Sequence, residues 1–140
     1  MTAKMTRHSL LDLPTLNVDA DIAASMARTV EASGLSREQA VDRLNTAALR
    51  HGVRICSGSA RALSVATFEK WLNPREPENI PSTRALNLFC HVFETMEPLD
   101  ILARSHGWGC RVIEDEEARV LEVALLDREI KKLRARKRRK

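Results

Sequence analysis

The chain of 140 residues contains no apolar run near the roughly 18 to 20 residues that a bilayer-spanning helix needs, which excludes a transmembrane segment of that kind. Its first residues, MTAKMTRHSLLDLPTLN, hold too short an apolar stretch for a secretory signal. A soluble, cytoplasmic protein with no membrane partner is therefore expected. Cysteine is scarce: Cys56, Cys90 and Cys110 are an odd number in a chain read as intracellular, so a disulfide framework is not expected. Motifs for common catalysis are missing too, with no G-x-S-x-G, no P-loop and no H-E-x-x-H. His8, His51, His91 and His106 are dispersed, and Cys56 lies in a Ser/Gly stretch without a neighbouring base. The expectation is a protein that is not an enzyme and uses no cofactor.

Cys90-His91 and His106-x3-Cys110 offer four zinc-type ligands. Adjacent Cys90 and His91 on one helix would point about 100° apart, which suits a shared metal poorly. Cys90 also falls in an apolar stripe, where a free thiol behaves as a small hydrophobe. No metal site is expected.

With 44% apolar and 30% charged residues, the chain has enough apolar content to bury a core. Its net charge of +4 conceals an asymmetry. The last ten residues, KKLRARKRRK, contain eight of the 23 basic side chains and no acid: Lys131, Lys132, Arg134, Arg136, Lys137, Arg138, Arg139 and Lys140. Residues 1–130 are left with 15 basic against 19 acidic groups, a net −4. A polyanionic partner is suggested for the tail alone.

Along the chain, residues 1–17 hold Pro14 and no sustained period, and read as a flexible arm. Val18, Ile22, Met26, Thr29 and Val30 then mark one helical face, with Asn17 or Asp19 as cap and Gly34 as stop. Ser36 and Gln39 form a capping box for a second helix, whose stripe of Ala40, Val41, Leu44, Ala47 and Ala48 runs to about Arg50, before Gly52. Residues 53–62 read as a loop around Ser57-Gly58-Ser59. A short helix follows from the Ser64 cap to Leu72, with Leu63, Phe68, Trp71 and Leu72 apolar. The proline-rich segment from Asn73 to Ser82 is a loop, and a helix over Thr83–Met96 carries Leu86, Phe89, Cys90, Phe93 and Met96. Pro98 opens a fifth helix that buries Leu99, Ile101 and Leu102 and stops at Gly107.

Residues 113–136 form one long helical candidate without Gly or Pro. Glu114, Asp115, Glu116 and Glu117 sit at its start and the basic run at its end, in keeping with the helix dipole. Val123, Leu126, Ile130 and Leu133 repeat with 3-4-3 spacing, a two-heptad dimerisation seam. Packing of Leu121, Val123, Leu125 and Leu126 against the body is the alternative. The expected organisation is an arm (1–17), a helical domain (18–108) and a C-terminal helix with its basic tail (109–140).

The segment LSVATFEKWLNP, Leu63 to Pro74, resembles the recognition helix of the phage-repressor, or Cro/CI-type, helix-turn-helix family. Leu63, Ser64, Thr67, Phe68, Trp71 and Asn73 occupy that family's buried, capping and turn places. IPSTRALNLFCHVF (Ile80–Phe93) looks like its fourth helix, and EPLDILARSHGW (Glu97–Trp108) like its fifth. The family joins its second and third helices by a tight turn, whereas about a dozen residues lie between Gly52 and Ser64 here. The resemblance implies an all-α, five-helix, lambda-repressor-like bundle with an insertion before the recognition helix, followed by the long C-terminal helix.

Its functional implication is a phage or prophage transcriptional regulator that reads double-stranded DNA, as a dimer on two half-sites. With Phe68, Trp71 and Leu72 inward, the helix at 64–72 would present Ser64, Val65, Thr67, Glu69 and Lys70 to the major groove. Lys70 suits guanine or phosphate, Glu69 a cytosine amine and Val65 a thymine methyl. Arg37, in the first turn of helix two, stands where the family touches phosphate, and Arg61, Arg75 and Arg84 would fix the register. The net −4 of the body opposes phosphate binding, and the tail offsets it. Two other readings stay open: an adaptor of the same fold that binds a host protein, and a nonspecific nucleic-acid binder acting through the tail alone.

Overall fold

The computed structural model of the chain describes residues 16–106 and 110–138. The expected arm lies outside the described residues up to Thr15. So do the expected stop at Gly107, the expected division at 108/109, and the last two tail residues, Arg139 and Lys140. Among the described residues the chain is all-helical, with helices α1 (Asp19–Ser33), α2 (Arg37–His51), α3 (Val65–Trp71), α4 (Thr83–Val92), α5 (Glu97–Ser105) and α6 (Asp115–Arg138). A single 3-10 turn at Pro77–Asn79, which the apolar pattern does not announce, precedes α4.

Local chemistry sets most helix ends. Ser36 Oγ accepts the Gln39 N–H at 3.2 Å and the Gln39 side chain accepts the Ser36 N–H at 3.0 Å, a complete capping box for α2. Ser64 and Ser82 cap α3 and α4 in a one-sided way, each hydroxyl accepting a backbone N–H three residues on. α1 differs: its N-cap is Val18, and no side chain caps it there. The Asn17 carboxamide instead accepts the Asp19 N–H at 3.4 Å. Gly34 and Gly52 end α1 and α2 with φ of 68° and 62°, where a Cβ is strained.

α4 ends four residues before the expected Met96. Glu94 takes a left-handed φ of 51°, and the Thr95 N–H reaches back to the Cys90 carbonyl at 3.0 Å. The helix is closed by a left-handed residue that is not glycine, a device that its apolar stripe does not reveal. Met96 is consequently exposed, and Leu102 on α5 faces solvent as well, against the expectation that it supplies burial.

The core joins Ile22, Met26 and Val30 of α1 to Leu44 and Ala48 of α2, Phe68 and Trp71 of α3, and Leu86, Leu88 and Phe89 of α4. α1 packs on α5, α2 on both α3 and α4, and α4 on α5. An Arg28–Glu97 ion pair at 2.5 Å ties α1 to α5 across the surface. The loop 53–62 is anchored by Ile55, which is buried in this core, and by Arg54, whose guanidinium donates to the Gly58 carbonyl. α6 stands apart, with no buried residue. The alternative in which Leu121, Val123, Leu125 and Leu126 pack on the body is therefore not what the chain adopts; all four are exposed.

Candidate nucleic-acid interface

α3 is held on α2 by a pair of hydrogen bonds. The Leu63 N–H donates to Asn45 Oδ1 at 2.8 Å, and Asn45 Nδ2 donates to the Leu63 carbonyl at 3.0 Å. The residue just before the α3 cap is thus bonded on both backbone groups to the middle of α2. Behind it, Leu63, Phe68, Trp71 and Leu72 are buried, with the Phe68 and Trp71 rings in edge contact at 6.3 Å. Asn45 sits 18 residues from Leu63 and lies on no motif, so sequence reasoning misses it.

The outer side of α3 carries Ala66, Thr67, Glu69 and Lys70, all exposed, with Ser64 exposed at its cap. Val65 departs from expectation. It is half-buried and packs against the core, because it falls on the same side as Phe68 and Leu72. The apolar group at the centre of the solvent face is Ala66, which the resemblance does not single out. Ser64 and Thr67 are partly occupied with each other: Ser64 Oγ accepts the Thr67 N–H at 3.2 Å and donates to Thr67 Oγ1 at 3.0 Å.

Arg37 and Glu69, expected to act separately on phosphate and base, form an ion pair at 2.9 Å. They line a shallow cleft of about 550 Å³ together with Lys70, Glu31, Asn73 and Glu76. Three carboxylates against two cations give this cleft no excess positive charge. Glu38, one residue along, has its carboxyl held below the ordinary range by a backbone hydrogen bond at the start of α2 and by Ser36. On the other flank, Ser64, Thr67 and Trp71 border a cleft of about 310 Å³ with Ile55, Cys56 and Ser82.

The flanking arginines come from three separate segments of the chain. Arg61 is exposed in the loop before α3. Arg75 is exposed beyond α3, its N–H donating to Asn73 Oδ1 at 3.0 Å. Arg84 lines a separate cavity of about 400 Å³ with His51, Val53, Asn87, Cys90, His91 and Met96. There the His51 and His91 rings meet edge to face at 5.0 Å. Among the described residues, no group of three or more His, Cys, Asp or Glu side chains is placed to hold a metal ion. Cys90 is buried, which pushes its thiol upward, while Cys110 and His106 are exposed. Burial also raises the Cys56 thiol, against the pull of Arg54.

α6 carries the remaining candidates. Lys131, Lys132, Arg134, Arg136, Lys137 and Arg138 are exposed along its last turns; Arg139 and Lys140 lie outside the described residues. The seam residues Val123, Leu126, Ile130 and Leu133 are 59%, 54%, 45% and 63% exposed, and none is buried by another described part of the chain. The start of α6 is joined to the body through Asp100, whose Oδ1 accepts the Val112 N–H at 2.8 Å and whose Oδ2 accepts from Arg104 at 2.6 Å. Arg111 in turn pairs with Glu117. Partial burial pulls the Asp100 carboxyl upward. The bonds from Arg104 and Val112, with the nearby charges of Arg104 and Arg111, outweigh that and hold it below its ordinary value. No helix among the described residues is long and apolar enough to cross a membrane. Comparison with family models, with curated proteins and with solved structures finds no match for this chain.

Proposed function

We propose that the chain is a sequence-specific binder of double-stranded DNA and a transcriptional regulator of the phage-repressor kind, with α3 entering the major groove. The observation that carries this reading is the mounting of α3: a short helix buried along one side, bonded at its start to α2 through Asn45, and presenting Ala66, Thr67 and Lys70 outward. An α-helix fits the major groove, where a lysine reaches guanine or phosphate, a hydroxyl reaches either, and a methyl group meets thymine. Residues 52–64 between α2 and α3 replace the tight turn of the resembled family, and the Asn45 bonds together with the buried side of α3 hold the two helices against each other.

Phosphate neutralisation comes from elsewhere than the α3 cleft, where Glu69 occupies Arg37. The basic end of α6, with Arg61 and Arg75, supplies the countercharge. Affinity then follows mainly from the tail and base preference from α3.

Selection from a random duplex library at near-physiological salt tests the reading. An enriched motif supports it. Lys70→Ala is then expected to relax preference at one base pair, at a cost of about 1–3 kcal/mol on the preferred duplex. Equal losses on selected and random duplex would remove Lys70 from the readout. Binding without any enrichment would reduce the protein to a tail-driven nucleic-acid binder. No binding would favour the host-protein adaptor.

A further inference from the structure

We infer that α6 pairs with α6 of a second copy in antiparallel orientation, burying the seam of Val123, Leu126, Ile130 and Leu133 between the two helices. The seam is exposed along its whole length, and α6 has no buried residue, so nothing among the described residues competes for it. Four apolar side chains at 3-4-3 spacing form one stripe, the kind that two helices bury by interlocking.

Charge decides the orientation. Glu114, Asp115, Glu116, Glu117 and Glu122 lie before the seam or at its start, with Arg119 as the sole opposing charge among them. Lys131, Lys132, Arg134, Arg136, Lys137 and Arg138 lie in its last turn and beyond, with no acid among them. A parallel pair would set each block against its own copy, cation against cation and carboxylate against carboxylate. An antiparallel pair sets the acidic start of each helix beside the basic end of the other and opposes the two helix dipoles. In register, Val123 meets Leu133 of the second copy, Leu126 meets Ile130, and Glu122 comes beside Arg136. The unfavourable approaches are at the centre, where Asp127 and Glu129 come near their counterparts, and at each end of the seam, where Arg119 meets Lys137 of the second copy.

The pair has a geometric consequence that rests on the DNA-binding reading. A helix of 24 residues is about 36 Å long, so the α6 N-termini, where the bodies attach, stand about that far apart. Half-sites one turn of B-DNA apart are separated by about 34–36 Å. The same pairing sets part of the basic tail against the partner's carboxylates and leaves only the excess for phosphate.

Sedimentation equilibrium of the full chain, followed by cysteine cross-linking in a Cys110→Ser background, tests the arrangement. Molar mass is expected to rise from one chain towards two with concentration. Val123→Cys alone and Leu133→Cys alone are expected not to form a disulfide, because in an antiparallel pair each thiol lies ten residues, about 15 Å, from its own copy. A disulfide tolerates a Cα separation of no more than about 7 Å. An equimolar mixture of the two variants is expected to cross-link as a heterodimer. Neither position is buried in the body, so the substitutions leave the core intact. Self-cross-linking of either single variant would overturn the orientation, and a monomer at all concentrations would overturn the pairing. Both outcomes are read without DNA, so they stand apart from success or failure of the duplex selection.

Discussion

Glu94 spends backbone energy at a position that usually belongs to glycine. Its φ of 51° costs an L-residue roughly 1–2 kcal/mol, and it closes α4 through the Thr95–Cys90 bond. Glu94→Gly removes that strain and gives back part of the gain through the added freedom of the unfolded chain. A net stabilisation of about 0.5–1 kcal/mol is expected, read as a rise of a few degrees in melting temperature. A lowered melting temperature would show that the Glu94 side chain holds the turn by more than its backbone. Asp100 gives a second prediction at this scale. Its carboxyl is held below its ordinary value in the folded chain, so it is ionised there at pH values where the unfolded chain has begun to take up a proton. Its stabilisation is complete above the unfolded value of about 4 and is lost as pH falls through the lower folded value. Denaturant midpoints measured across that range are expected to fall on acidification, and less steeply in Asp100→Asn. Because Asp100 bonds the Val112 N–H, amide exchange at Val112 is expected to accelerate in the same variant.

At the scale of elements, α3 depends on one side chain of α2. Asn45 makes both bonds to Leu63, and Asn45→Ala leaves a partly buried N–H and C=O without partners. Two hydrogen bonds at about 0.5–1.5 kcal/mol each put the expected loss at about 1–3 kcal/mol of stability. Under the proposed function, base preference falls with it while binding to random duplex changes little; chemical denaturation and duplex binding read the two effects. This bond also marks where the sequence stops being legible. The caps of α2, α3 and α4 can be read from Ser36, Ser64 and Ser82, because each involves residues three apart. The Ile22, Met26 and Val30 stripe is similarly legible, being a matter of helical period. The seating of α3 on α2 spans 18 residues of sequence and hangs on an ordinary asparagine. The end of α4 depends on a glutamate in glycine's place, so the apolar stripe overruns it to Met96. Val65 stands at i, i+3 and i+7 with Phe68 and Leu72, so its half-buried place follows the helical period, and only the resemblance turns it outward. The Arg37–Glu69 pair joins two separately plausible roles into one spent ion pair, which only the packing of α3 against α2 brings about.

For the whole molecule, charge is distributed so that affinity and readout come apart. Residues 1–130 carry a net −4 and the last ten residues +8, and the tail cations up to Arg138 lie on a helix with no buried residue. Ending the chain after residue 130 removes the cations that approach phosphate and, with Leu133, part of the α6 seam. Leu126→Gln with Ile130→Gln breaks the seam and changes no charge. The truncated chain is expected to bind all duplexes about equally more weakly. Its plot of log affinity against log salt should become shallower by about 0.9 for each phosphate that is no longer neutralised. The glutamine variant is expected to bind a single half-site at least as well, with a steeper salt slope per protomer, because cations that the pair sets against the partner's carboxylates are freed for phosphate. It should lose the added affinity for two half-sites one turn apart, since the two bodies are then no longer joined. Salt titrations on single and paired half-sites separate these effects. Equal behaviour of the two variants would mean that the tail acts only through pairing, and that phosphate must be bound by the body despite its negative charge.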